Sequence, residues 1–191
     1  MDGARTLFVY YSRTGATKQV ARRMARFAAA DLEELVDLHE RRGLSGFLKS
    51  NLDATLGRTV DFAPPRHDPS LYDVVVIGTP IVGSSISAPV RTYLLANGGL
   101  LGRVAFFCTH GDSGSARALR EMEALCHRAP IVSLVLRTPD VTAANFDAKA
   151  RSFVGEIQRH TTAPPPPSSS ASSLSFPTPT GIRLGGRVGL T

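Results

Sequence analysis

The chain has 191 residues, 42% of them hydrophobic, and a net charge of +6, which suits one soluble domain with an appendage. No apolar run reaches the roughly 18–20 residues needed to span a bilayer, and two cysteines, Cys108 and Cys126, are too few for a disulfide framework or a four-thiolate metal site. The charge comes from 19 arginines and three lysines spread along the chain, a compositional bias rather than a nucleic-acid surface.

In chain order, Leu7-Phe8-Val9-Tyr10-Tyr11 is a short apolar run of β-formers and predicts the first strand. It begins at about Arg5, leaving no room for a secretory leader, so the expected compartment is the cytoplasm. A helix with Val20, Met24 and Phe27 on one face follows. "LEELVDL", Leu32 to Leu38, reads as a more polar strand at a sheet edge. Leu44, Phe47, Leu48 and Leu52 then space as a helix, and "APPRHDP" breaks the chain. "DVVVIG", Asp73 to Gly78, is a continuous buried strand, with a helix from about Ser87 to Ala96. "VAFFC", Val104 to Cys108, is another, and its helix carries Leu119, Met122, Leu125 and Cys126. "IVSLVLR", Ile131 to Arg137, is the last strand, and Phe146, Ala150, Phe153, Val154 and Ile157 mark a closing amphipathic helix.

Continuous apolar strands alternating with helices imply an α/β fold with a parallel sheet covered on both faces. Five strands suit the three-layer, doubly wound order 2-1-3-4-5, whose first and third strands flank the topological switch point. The folded domain is expected over residues 3–160. Residues 161–191 hold no acidic residue and are rich in Pro, Ser, Thr and Gly, so a disordered tail is expected there.

Ligands of such sheets bind at the carboxyl ends of the strands. Three Gly/Ser/Thr-rich stretches fall there: "SRTGAT", "TPIVGSSIS" and "THGDSGS". The first opens a helix, whose unpaired N–H groups and positive dipole end favour a phosphate, with Ser12, Thr14 and Thr17 adding hydroxyls and Gly15 allowing close approach. One hydroxyl could be a simple helix cap, but three around a glycine exceed what a cap needs. There is no GxxxxGK[ST] and no GxGxxG opening this helix. No cysteine nucleophile stands in the loop, and no acidic residue ends the first or third strand. The loop is therefore built to hold a phosphate rather than to transfer one.

"YYSRTGATKQVA", "DVVVIGTPIVGSSISAPVRTYL" and "VAFFCTHGDSG" together resemble the flavodoxin-like family over about residues 5–160. The resemblance implies noncovalent FMN, with Ser12, Arg13, Thr14, Gly15, Ala16 and Thr17 at its phosphate. Thr79, Pro80, Ile81, Val82 and Gly83 would lie along one side of the ring, and Thr109, His110, Gly111 and Asp112 along the other. Many relatives place Trp or Tyr at the position of Val82, and this chain has no Trp. A missing stack lowers affinity by about tenfold, given about 0.5–1.5 kcal/mol per aromatic pair.

The implied function is that of an FMN-binding redox protein in electron transfer, with an unidentified redox partner or NAD(P)H as the electron source. The alternatives are an FMN-dependent NAD(P)H oxidoreductase and a flavin-free binding module. Cys108 and Cys126 read as inert core residues, and His67 and His127 have no ligand-spaced partners, so no metal is expected.

Overall fold

The computed structural model describes residues 4–38, 62–111, 114–142 and 144–162. The expected helix around Leu44–Leu52, the expected tail from residue 163 onward and Asp112 lie outside these residues. Strands β1 (Thr6–Tyr10), β2 (Asp31–Glu34), β3 (Val74–Val82), β4 (Ser85–Ile86), β5 (Arg103–His110) and β6 (Ser133–Arg137) form one sheet. The helices are α1 (Ala16–Ala28), α2 (Ala88–Asn97), α3 (Ser115–Cys126) and α4 (Phe146–Thr162).

The sheet order is β2-β1-β3-β5-β6, all parallel, with β4 antiparallel to the end of β3. This is the expected doubly wound order with one small strand inserted. The reversal falls between β1 and β3, paired from Thr6–Val74 to Tyr10–Gly78.

Alternation along the strands sorts the core into two layers. Leu7, Val9, Val75, Ile77, Val104 and Phe106 face α2 and α3, where Val90, Tyr93, Met122 and Cys126 close the layer. Phe8, Tyr10, Val74, Val76, Ala105 and Phe107 face α1 and α4, meeting Val20, Met24, Phe146 and Phe153. Because both faces are covered, the central residues of β1, β3 and β5 are apolar on both sides, which is why they read as continuous runs. No helix among the described residues is long and apolar enough to cross a membrane.

Several expected boundaries shift: β5 runs on to His110 where the sequence places its end at Cys108, and the last strand begins at Ser133 instead of Ile131. The second strand ends at Glu34 instead of Leu38, since its pairing with β1 stops at Tyr10–Glu34. Its Glu33 is a buried carboxylate that accepts the backbone N–H groups of Arg66 (2.9 Å) and His67 (3.1 Å) and bonds His67 Nδ1 at 2.6 Å. That carboxylate fixes the returning segment to the sheet edge. The third strand runs on through Thr79-Pro80-Ile81-Val82, residues the sequence places in a loop.

Cys108 and Cys126 are buried free thiols, and burial pushes both up to about 12. At pH 8 the reactive thiolate is then about one part in ten thousand. Both thiols should therefore stay silent to Ellman's reagent in the native protein and react fully in denaturant. Prompt labelling of either one would contradict the packing described.

Candidate functional site

The site is built where β1, β3 and β5 end together. Beyond β1, Tyr11 N donates to Gly78 O at 3.2 Å, holding the first loop against the third strand. Gly15 caps α1 with φ +93, a left-handed conformation that glycine adopts without strain. A Cβ there would meet nothing within 4 Å, so glycine serves the backbone angle and leaves open space above the loop. Gly15 N donates to Ser12 Oγ at 3.2 Å. No side chain caps α1, and its first turn holds no acidic residue. Its opening amides, which have no intrahelical acceptor, therefore point into an electropositive opening. Thr14 is exposed, while Ser12 and Arg13 are half-buried.

Thr17 behaves otherwise. Its side chain is buried, and its hydroxyl pairs with Thr109 Oγ1 at 2.8 Å, tying the first loop to the third. A shallow groove of about 350 Å³ continues from Gly15 along Lys18, Gln19, Arg22, Arg23 and Arg26. Arg22 and Arg26 keep this approach positive, while Lys18 pairs with Glu34 and Arg23 with Asp147.

The second stretch is a hairpin. Gly83 and Ser84 have φ of +56 and +64, the pair of positive values that a two-residue type I′ turn needs. Val82 pairs with Ser85 and Ile81 with Ile86. Thr79 is fully buried at the base, where its Oγ1 accepts Ser87 N at 3.1 Å and donates to Pro80 O at 3.0 Å. Ile81 packs against the core. Half-buried Pro80 and Val82 and exposed Gly83 remain as the surface open to a ligand.

The third stretch begins inside β5, whose last two residues are Thr109 and His110. Thr109 is buried, His110 half-buried and Gly111 exposed with open space where a Cβ would stand. His110 Nδ1 is buried without a hydrogen-bond partner among the described residues, and His110 O accepts Thr138 Oγ1 at 3.2 Å. Gly114 caps α3 with φ +95 and no side-chain cap. Its backbone lies so near Ser84 that a Cβ would sit 2.6 Å from Ser84 Cα. The second and third stretches are thus in contact.

Of the residues expected at the site, Ser12, Arg13, Thr14, Gly15 and Ala16 shape the first loop. Thr17, Thr79 and Thr109 turn their hydroxyls inward as internal ties. The sequence missed the group behind the hairpin: Arg91, Glu121 and Ser85. Its signal was a single charge in the otherwise apolar "APVRTYLLAN" helix, where Arg91 is 5% exposed. No group of His, Cys, Asp and Glu able to hold a metal ion occurs among the described residues.

No protein-family model matches the chain, and no curated protein matches it in sequence. Solved structures do. A flavoprotein in complex with FMN from Lactobacillus acidophilus NCFM is similar at TM-score 0.60 and 23% identity, over 73% of this chain and 97% of that one. The flavodoxin, WrbA-like protein from Agrobacterium tumefaciens gives 0.57 and 14%, over 84% and 98%. A flavodoxin from the domain Archaea gives 0.52 and 13%, over 83% and 99%. These likenesses establish a flavodoxin-like fold.

Proposed function

We propose that the chain binds FMN noncovalently and acts as a redox protein in electron transfer. The observation that carries this reading is the uncapped start of α1, with Gly15 in its left-handed turn and Ser12 and Thr14 beside it. Amides without an intrahelical acceptor at a positive helix end favour a dianionic phosphate. Two further features fit the rest of the cofactor: the orphaned His110 Nδ1 and the open space at Gly111. A flavoprotein of the same fold is known with FMN bound.

In this reading Ser12, Arg13, Thr14, Gly15, Ala16 and the Thr17 amide hold the phosphate. Pro80, Val82 and Gly83 border one side of the ring, and His110 and Gly111 the other. The isoalloxazine supplies the electron chemistry; the chain binds it, orients it and sets the polarity around it. Buried free thiols accord with a reducing compartment, and we assign the protein to the cytoplasm. A net charge of +6 suits an acidic redox partner.

An absorbance spectrum after incubation with FMN and gel filtration tests the reading. Co-eluting flavin that NADPH alone fails to bleach under anaerobic conditions is the expected result. Bleaching by NADPH would make the protein an oxidoreductase in its own right. Colourless protein would overturn the cofactor assignment in favour of a flavin-free binding module.

A further inference from the structure

We propose that the Arg91–Glu121 ion pair is the positioning element of the candidate site, fixing the hairpin that borders the flavin ring; this rests on the FMN reading above. Arg91 reaches from α2 and Glu121 from α3, and they meet behind β4. Arg91 Nε donates to Glu121 Oε1 at 2.8 Å, and Arg91 Nη2 donates to the same oxygen and to Ser85 Oγ at 2.8 Å. The other oxygen, Glu121 Oε2, accepts Ser85 Oγ at 2.5 Å and Ile86 N at 3.3 Å. One carboxylate thereby binds the side chain and the backbone of β4 while its charge is matched by a buried guanidinium.

The geometry needs such a clamp. β4 is two residues long and pairs with β3 alone, so the ladder by itself holds it weakly. Its turn places Ser84, a non-glycine residue, at positive φ, which favours opening. Against this, α3 grips the hairpin at two points: Glu121 binds Ser85 and Ile86, and Gly114, at the start of the same helix, abuts Ser84. The helix that carries the third stretch thus also immobilises the second. Fixing one fixes the spacing between the two borders of the ring site. The first loop shares none of these bonds, so the phosphate cradle stands apart from the clamp.

That separation gives the test. FMN and, separately, inorganic phosphate are titrated into the full chain and into Glu121→Ala, Glu121→Gln and Ser85→Ala, with amide hydrogen exchange followed over residues 82–86. Glu121→Ala should weaken FMN at least tenfold, leave phosphate binding unchanged and speed exchange at the hairpin. Glu121→Gln keeps an acceptor oxygen within reach of β4 but removes the negative charge opposite Arg91. It should bind FMN with an intermediate loss and move the flavin midpoint to more positive values, because removing a negative charge near the ring favours the more negatively charged reduced form. A midpoint shift distinguishes positioning with charge balance from mere stability. Unchanged hairpin exchange in Glu121→Ala and Ser85→Ala overturns the proposal, and so does an equal loss of FMN and phosphate. Should the parent bind no FMN, the cofactor reading fails on that arm, while the exchange arm still decides whether the pair holds the hairpin.

Discussion

Thr14→Glu should raise the FMN dissociation constant at least about 100-fold in a flavin-fluorescence titration, with the circular dichroism spectrum unchanged. Thr14 is exposed and immediately precedes Gly15, so the new carboxylate stands beside the amides that open α1. Two like unit charges about 6 Å apart repel by about 3 kcal/mol at an effective dielectric of 20, and the phosphate carries up to two. A hundredfold loss corresponds to about 2.7 kcal/mol, so the effect fits within that repulsion. The fold itself gains, because a negative charge at a helix N-terminus stabilises by about 0.3–1 kcal/mol. Lost affinity then cannot be blamed on unfolding. Thr14→Gln, similar in size and neutral, should stay within a fewfold of the parent. Riboflavin, which lacks the phosphate, should bind weakly to all three proteins and ignore the charge. If the glutamate variant takes up FMN as well as the parent does, the first loop is not where the phosphate sits.

What the sequence revealed and what it hid divides along a physical line. Strands covered on both faces are apolar along their central residues, so β1, β3 and β5 were legible as runs, and their order followed from the alternation with helices. The edge strand β2 was legible by its polarity, though not its end, which depends on where β1 stops pairing. The β3–β4 hairpin was in plain sight as Ile81-Val82, Gly83-Ser84, Ser85-Ile86, a two-residue turn between β-formers. Reading "TPIVGSSIS" as one Gly/Ser-rich loop concealed it. The directions of the hydroxyls were not legible at all. Thr17 finds Thr109 across 92 positions of sequence, and Thr79 finds Ser87 only because the hairpin closes. Loop residues have no period that tells an inward side chain from an outward one, so those partners emerge only from the fold.

Gly78→Val should cost about 3 kcal/mol of stability, lowering the melting temperature by roughly 6–12 °C for a chain of this size. Gly78 lies in β3, paired with Phe107 of β5. A Cβ on it would stand 2.0 Å from Phe107 Cζ and 2.3 Å from Cε1, far inside van der Waals contact with the ring. Valine's preference for strands is worth at most about 1 kcal/mol, so the clash wins. Phe107 is fully buried between β5 and the α1–α4 layer, packed in one cluster with Phe8, Tyr10 and Phe146. The consequence reaches the site, because Gly78 O accepts Tyr11 N and so anchors the first loop to the sheet. A double-mutant cycle isolates the cause. Phe107→Leu alone should destabilise by opening a cavity, but combined with Gly78→Val it should cost clearly less than the two changes summed, since each relieves the other. Additive losses would mean that the ring is not what excludes a side chain at position 78, and the glycine would need another explanation.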